Sequence, residues 1–367
     1  MVNEKMVAIG LMSGTSMDGI DAAIITTDGK DVFDKGASCS FEYSDDFKNK
    51  IRGLILGSEN QDEITKELTI LHADAVHHLL KHANKTPEDI DVIGFHGQTI
   101  AHDPDNNYTL QIGDGRLLAE LTGICVVNDM RKNDVLNGGQ GAPLAPLYHA
   151  ALAKNDELPI AILNIGGVSN VTWIGGVDDI IAFDTGPGNA LIDDWVLKHK
   201  GIPYDKDGAI AASGAVDKNV LSELMSNSYF SIIPPKSLDR NHFHSDAANH
   251  LALADGAATL TQFTVESIVK SAEQFPEAAN RWYVTGGGRH NATLMNGLRE
   301  YLKKPILPIE ELGCDGDMIE AEAWAFLAVR SIYGMPLSLP ATTGVNKPLS
   351  GGVVFEVAAD KAASMGG

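Results

Sequence analysis

The sequence predicts an α/β protein made of two like domains that face a cleft, and three observations predict it. Short apolar, strand-like runs alternate with amphipathic helical stretches. A pair of apolar runs around a turn rich in glycine and hydroxyl groups opens the chain at 6–25, and a second such pair starts at Pro159. Between them Gly138-Gly-Gln-Gly-Ala-Pro143 reads as the boundary. The expected domains are therefore 1–137 and 138–344, with a terminal segment of about 345–367 packing back on the first.

The opening hairpin enters through Met6 to Ile9, turns through Gly10-Leu-Met-Ser-Gly-Thr-Ser-Met-Asp-Gly-Ile-Asp21 and leaves through Ala22 to Ile25. Its glycines permit close backbone approach to a ligand, and Ser13, Thr15 and Ser16 add hydroxyl donors. Asp18 or Asp21 suits a cation or its water, so the turn fits a phosphate with its metal. On its own residues an ordinary solvated turn fits equally well. A further strand is expected around Val32 to Phe41, and a helix from Gln61 to His82 with the stripe Ile64, Leu68, Leu71, Ala75 and Leu79, stopped at Asn84. Thr86-Pro87-Glu88-Asp89 caps a short turn. Ile90 to Phe95 reads as a buried strand that delivers His96-Gly97-Gln98-Thr99 into a loop, where open α/β sheets place ligands.

Leu110 to Asp114, a helix through Leu117 to Leu121 and a strand from Ile124 to Val127 lead to Asn128-Asp129-Met130-Arg131. In the second half Pro159 to Leu163 and Val171 to Ile174 flank the turn Asn164 to Asn170, a weak internal duplication of the opening. Ile180 to Phe183 is a strand followed by Asp184-Thr185-Gly186-Pro187-Gly188-Asn189, with Asn189 placed to cap a helix over Ala190 to Leu197. Ser213 to Lys236 is mostly helical up to Pro234-Pro235, and 237–249 is polar. Asp255 to Ala272 is a strong helix, Trp282 to Val284 a strand running into Thr285 to Asn291, and Ile319 to Tyr333 an apolar helix ended by Gly334 and Pro336.

The 367 residues suit one large or two ordinary domains. A hydrophobic share of 44% and a charged share of 21% are those of a globular protein. The net charge of −21 argues against nucleic acid and anionic membranes as partners. Three scattered cysteines, Cys39, Cys125 and Cys314, make neither a disulfide framework nor a zinc ribbon. With no membrane-length apolar span and no apolar leader at Met1 to Lys5, a cytoplasmic enzyme is the expectation.

Four glycine-rich loops, 10–19, 164–170, 184–189 and 285–291, match neither a P-loop nor a dinucleotide fingerprint. A nucleotide here needs several loops from both domains, which also gives a hinged cleft for phosphoryl transfer. Asp184 ends an apolar strand before a helix start, so it reads either as a shielded catalytic carboxylate or as a cap of the next turn. Arg131 suits a carboxylate through two parallel hydrogen bonds, or a structural pair with Asp129 or Asp134. His96 fits a ligand contact or a loop histidine held by backbone. His78 and His82 lack the glutamate of a zinc motif, His242-Phe-His244 belongs to a polar loop, and Asp193 and Asp194 read as first-turn helix acids.

The opening motif resembles the signature of the anhydro-N-acetylmuramic acid kinases, members of the actin, Hsp70 and sugar-kinase superfamily. Phe95-His-Gly-Gln-Thr99, Gly138 to Pro143, Asn164-Ile-Gly-Gly-Val-Ser-Asn170, Phe183-Asp-Thr-Gly-Pro-Gly-Asn189 and Gly286-Gly-Gly288 with Asn291 follow in that family's order, over nearly the whole chain. The resemblance implies a two-domain actin-like ATPase (ribonuclease H-like) fold with a nucleotide cleft. It implies that ATP and water open the 1,6-anhydro ring of 1,6-anhydro-N-acetylmuramic acid and phosphorylate O6, giving N-acetylmuramic acid 6-phosphate in cell-wall recycling. Asp184 is then the catalytic base. Gly14, Thr15, Ser16, Met17, Asp18, Gly19, Ile20 and Asp21 hold the ATP phosphates, with Mg2+ at Asp18. Asn164, Gly166 and Gly167 form the second phosphate loop, and Gly286, Gly287, Gly288 and Asn291 lie by the adenosine. The sugar meets His96, Gln98, Arg131 and Glu320. The chain departs from the family at Leu238-Asp239-Arg240-Asn241, where Thr-Gly-Arg-Glu is expected, so no role is assigned there. A simple sugar kinase without ring opening and an actin- or Hsp70-like binding module are the alternatives, and a homodimer is left open.

Overall fold

The structure, a computed structural model, describes residues 3–14, 17–176 and 179–357. Strands β1 (Met6–Ser13), β2 (Gly19–Thr27) and β3 (Val32–Glu42) come first, then helices α1 (Asp45–Ile55) and α2 (Gln61–Ala83). They are followed by β4 (Val92–Asp103), β5 (Tyr108–Ile112), α3 (Gly115–Thr122), β6 (Val126–Asn128), α4 (Lys132–Leu136) and α5 (Pro146–Leu152). The second half holds β7 (Ile160–Ile165), β8 (Val168–Ile174), β9 (Ile180–Pro187), α6 (Ala190–Lys200), α7 (Ala209–Ala212), α8 (Lys218–Met225) and α9 (Leu253–Ser271). It ends with β10 (Arg281–Thr285), α10 (Ala292–Leu302) and β11 (Ile306–Pro308), before α11 (Ile319–Ile332), α12 (Pro340–Thr343) and β12 (Val353–Phe355).

Two sheets repeat one topology. The first runs β12-β6-β4-β1-β2-β3 with β5 paired to β4, and the second runs β11-β10-β7-β8-β9. In each, three strands form an antiparallel meander, one later strand pairs in parallel with the first of them, and a second later strand pairs in parallel with that one. The duplication expected from the hairpins is therefore present at the level of whole sheets, and the fold is the duplicated actin-like one. The parallel strands bring the carboxyl ends of β1, β4 and β6 to one edge in the first sheet, and those of β7 and β10 to one edge in the second. Such edges are where α/β sheets bind ligands.

The chain divides into two compact units, one of residues up to Leu152 with those from Met318 onward, the other Ala153–Asp317. The expected boundary at 137/138 thus falls inside the first unit, and so does the returning segment 318–344. Packing explains the return. Helix α11 lies on β1, β4 and β2, so close that a Cβ on Gly10 would stand 1.8 Å from the Ala321 carbonyl oxygen. One on Gly94 would stand 2.1 Å from that of Trp324. The last strand, β12, pairs antiparallel with β6 through Val353–Phe355. Gly138 to Pro143 is held inside this unit too, through Gln140 N–H to the Thr343 carbonyl (2.7 Å) and Gly141 N–H to Asp134 Oδ1 (2.6 Å).

Helix α2 buries Ile64, Leu68, Ala75 and Leu79 and stops at Asn84 in the left-handed conformation, as its pattern predicts. Two predicted loops are instead strand. His96 to Thr99 stays within β4, which runs past the end of β6, keeps a pair with β1 at Ser13 and Gln98 across a register shift, and joins β5 from Gln98 on, just after Gly97 (φ +72°). Asn164 to Asn170 shrinks to a two-residue turn, Gly166-Gly167, with Asn164 and Asn170 paired across the hairpin. Polar residues misled the reading at both places, because the hydrogen-bond ladder continues through them. Asn189 stands at the N-cap of α6, but its side chain donates to the Ile165 carbonyl (3.1 Å) and caps nothing.

Candidate active site

In the first unit the carboxyl ends of β4 and β6 and the start of α11 bring together three of the four residues expected to meet the sugar. Arg131 Nε donates to His96 Nε2 at 3.0 Å, and Arg131 Nη1 donates to the Gly141 carbonyl at 2.8 Å. Both side chains lie against Trp324: the His96 ring centroid is 4.5 Å from that of the indole, and the guanidinium carbon 4.9 Å from it. The arginine is always a donor, so His96 Nε2 must be unprotonated and the ring neutral, with its proton on Nδ1. Burial, then the arginine charge, hold the His96 pKa well below its usual value. Nδ1 is buried without a partner among the described residues.

Arg131 pairs with neither Asp129 nor Asp134. Asp129 stands 3.9 Å from Lys132 Nζ, and Asp134 accepts from Gly141 N–H and from Thr343 Oγ1 (2.6 Å). The Gly138–Pro143 loop is thereby locked under the guanidinium. Two of its five N–H groups are engaged, which leaves the Nη1/Nη2 end for an anion. Desolvation brings the Arg131 pKa to about 10, opposed by Glu320 and Asp134. Glu320, in the first turn of α11, is exposed, although protein around its carboxyl desolvates it. That desolvation raises its carboxyl; Arg131 opposes the rise and Asp21 adds to it.

Gln98 is fully buried and engaged elsewhere: its Oε1 accepts from Ser13 Oγ (2.7 Å) and its Nε2 donates to the Gly14 carbonyl (3.1 Å). Ser13, expected as a ligand donor, is likewise buried, at 2.9 Å from the Tyr43 hydroxyl. Together they fix the mouth of the first loop. Met17 takes φ 59° and Asp18 is exposed, with its carbonyl accepting from Tyr43 N–H (2.9 Å). Gly19 opens β2, Ile20 is a core residue, and Asp21 accepts from Ser40 Oγ (2.6 Å). Thr15 and Ser16, two expected phosphate contacts, lie outside the described residues.

The second unit gathers the other glycine loops at the ends of β7 and β10. A Cβ on Gly286 would stand 2.3 Å from Asn164 Oδ1, and one on Gly288 2.4 Å from the Ile165 side chain. Gly166 and Gly167 accept from the Asn189 and Gly188 amides at 2.7 and 2.9 Å, which ties the hairpin to the start of α6. Arg289 buttresses the Gly286 turn: Nη1 donates to the Gly286 carbonyl, while Nε and Nη2 pair with Glu310 (3.0 Å) and Asp317 (2.8 Å). Asn291 caps α10 through Leu294 N–H, so its Oδ1 is engaged.

Asp184 lies in β9, opposite Asn170. Its Oδ2 accepts from Leu238 N–H (2.6 Å), its carbonyl from the Tyr229 hydroxyl (2.5 Å), and its N–H donates to the Lys236 carbonyl (3.1 Å). It caps no turn of its own. Oδ1 carries no hydrogen bond among the described residues. Burial pushes the carboxyl up to about 7 against the Leu238 bond. A carboxylate with one oxygen held, one free and a pKa near neutrality is suited to general-base work.

Sequence reasoning missed Trp324, an indole hidden in an apolar helix, and Asp134, read only as an ion-pair partner. It also set aside 238–241, whose Leu238 amide holds Asp184. Arg240 in that segment lies with its Nε 3.8 Å from where a Gly167 Cβ would be and pairs with Asp194 at 3.0 Å. The signal was present, a lysine and an arginine after a proline pair, but a backbone donor has no side-chain signature.

The family described as anhydro-N-acetylmuramic acid kinase matches residues 6–357. A protein of that name from Rhizorhabdus wittichii is 50% identical over 359 residues, covering 95% of this chain and 98% of that one. One from Rhodospirillum rubrum is 47% identical over 357 residues, covering 96% and 94%. Among solved structures, component A of (R)-2-hydroxyglutaryl-CoA dehydratase from Acidaminococcus fermentans matches with a TM-score of 0.48 and 12% identity, over 89% of this chain and 99% of that one. With motifs, family match and full-length relatives in agreement, the chain belongs to the anhydro-N-acetylmuramic acid kinase family.

Proposed function

We propose that this protein is an ATP-dependent kinase that opens the 1,6-anhydro ring of 1,6-anhydro-N-acetylmuramic acid with water and phosphorylates O6, yielding N-acetylmuramic acid 6-phosphate and ADP. The observation that carries the reading is Asp184, a half-buried carboxyl raised to about 7, with Oδ2 held by Leu238 N–H and Oδ1 without a hydrogen bond among the described residues. Oδ1 takes a proton from the water that attacks the anomeric carbon. The bond from that carbon to the bridging oxygen breaks, and the oxygen, now O6, receives the γ-phosphoryl group. General-base assistance of this kind contributes roughly 10²–10⁴-fold.

The free end of Arg131 suits the lactyl carboxylate, and His96, held neutral beside it with Nδ1 unpartnered among the described residues, suits a sugar acceptor. Gln98 acts through the first loop, by holding Gly14, rather than by touching sugar. Gly14 to Asp21, Asn164, Gly166, Gly167 and Gly286 to Gly288 supply the nucleotide contacts, and Asn291 supports the last of these. Among the described residues no three acidic, histidine or cysteine side chains form a metal cluster. Mg2+ is commonly held by phosphate oxygens, waters and one or two carboxylates, and Asp18 would be the carboxylate here. When bound it supplies charge neutralisation at the transferred phosphoryl group. On this reading the protein acts in the cytoplasm, in cell-wall recycling; among the described residues no helix is long and apolar enough to cross a membrane. ADP release measured with and without the anhydro-sugar tests the proposal: release that does not depend on the sugar contradicts it.

A further inference from the structure

Lys236 is 8% exposed, and among the described residues no carboxylate pairs with it. Its ammonium lies 4.6 Å from the Tyr229 ring centroid and 5.5 Å from that of Phe183, and it donates one hydrogen bond, to the Tyr229 carbonyl at 3.3 Å. A buried cation held by two aromatic faces and one carbonyl is costly unless the enclosure is kept intact. Both rings belong to the surroundings of Asp184. Phe183 precedes it in β9, and Tyr229 donates its hydroxyl to the Asp184 carbonyl. The lysine's own carbonyl accepts from Asp184 N–H, and two residues on, Leu238 N–H holds Oδ2.

We infer that Lys236 is a positioning residue for the proposed base: its ammonium, clasped between Phe183 and Tyr229, pins the 236–238 backbone against β9 so that Asp184 presents Oδ1 alone. The inference rests on the reading of Asp184 as base. Three bonds to the base, from Tyr229, Lys236 and Leu238, come from one short stretch of chain, and the lysine ties both ends of that stretch to the strand carrying the base. Among the described residues the charged group bearing on it is Lys270: desolvation, then that like charge, brings the Lys236 pKa to about 8. Arg240, two residues beyond Leu238, pairs with Asp194 at 3.0 Å.

The test compares wild type with Lys236→Met, which keeps the stem without the charge, and with Lys236→Arg, which keeps the charge. Amide exchange of the peptide containing Leu238, followed by mass spectrometry without any substrate, should quicken at least tenfold in K236M and return toward wild type in K236R. Loss of the Leu238 bond removes what lowers the Asp184 pKa. The acid limb of kcat/KM should therefore move up by roughly half a unit or more, with kcat down about 10–100-fold and KM for ATP within twofold. If K236M does not fold, Tyr229→Phe keeps the ring beneath the ammonium, removes the hydroxyl bond, and should shift exchange and acid limb in the same direction by less. Unchanged exchange and an unmoved acid limb in a folded variant overturn the inference. Wild type without sugar-dependent ADP release overturns the functional reading instead, and leaves the exchange measurement to decide on the clamp.

Discussion

Asp184→Asn should make the protein more stable as it removes turnover. The folded Asp184 carboxyl sits at about 7 against an unfolded value of 3.8, so the folded state holds a proton that the unfolded chain releases. A raised acid costs stability as pH climbs from 3.8 through 7. At 1.36 kcal/mol per unit the cost reaches about 4 kcal/mol at pH 8 and about 2 kcal/mol at pH 5. An asparagine Oδ1 can take the Leu238 N–H in place of the carboxylate oxygen, and it does not ionise. Urea unfolding at pH 8 should show the variant roughly 2–4 kcal/mol more stable, with the margin about halved at pH 5. Nucleotide affinity should hold within twofold, and kcat should fall at least 10²-fold. A variant no more stable than wild type at pH 8, or a margin that does not shrink on acidification, refutes the burial argument. Turnover near wild type removes Asp184 from the chemistry.

Arg131→Lys loses the Nε bond to His96 and the planar end offered to a carboxylate, so KM for the anhydro-sugar should rise roughly 10–100-fold while KM for ATP stays within twofold. Steady-state kinetics in each substrate decide it, and an unchanged sugar KM contradicts the role given to Arg131. Gly10→Ala drives a methyl group into the α11 backbone, which no rotamer change relieves. It should cost about 1–3 kcal/mol or more in chemical denaturation, and a loss under 0.5 kcal/mol contradicts the close packing of helix on sheet. His72 and His149 are buried and neutral, each brought to about 4 by desolvation. A lowered histidine contributes stability that is complete above 6.5 and lost as pH falls toward 4, about 3 kcal/mol apiece. His72→Phe should flatten the acid-side fall in unfolding free energy by that amount, and an equally steep fall speaks against it.

Periodicity made the fold legible where one face is buried: α2 obeys its apolar stripe, and the repeated apolar pairs became two sheets of one order. Boundaries were read less well, because they depend on long-range packing. The return of α11 to the first sheet is decided at Gly10 and Gly94, two small residues with no periodic signal. The glycine loops and Asp184 stood out by composition; the structure places Gly14, Gly166 and Gly286 just past the ends of the parallel strands β1, β7 and β10, and Asp184 within the antiparallel strand β9. What stayed hidden acts through backbone or stacking. The Leu238 amide, the Gly141 carbonyl under Arg131 and the Trp324 face are invisible in a list of side-chain types. Ser13 and Gln98 show the converse: polar residues in a ligand-like motif that bond to each other and to Gly14.

The most direct test of the central claim is the product formed from 1,6-anhydro-N-acetylmuramic acid and ATP in ¹⁸O-water. One ADP should appear per sugar consumed, with phosphate on O6 and the label on the anomeric carbon. A phosphorylated product that keeps the anhydro ring, or an opened one without label at that carbon, contradicts it.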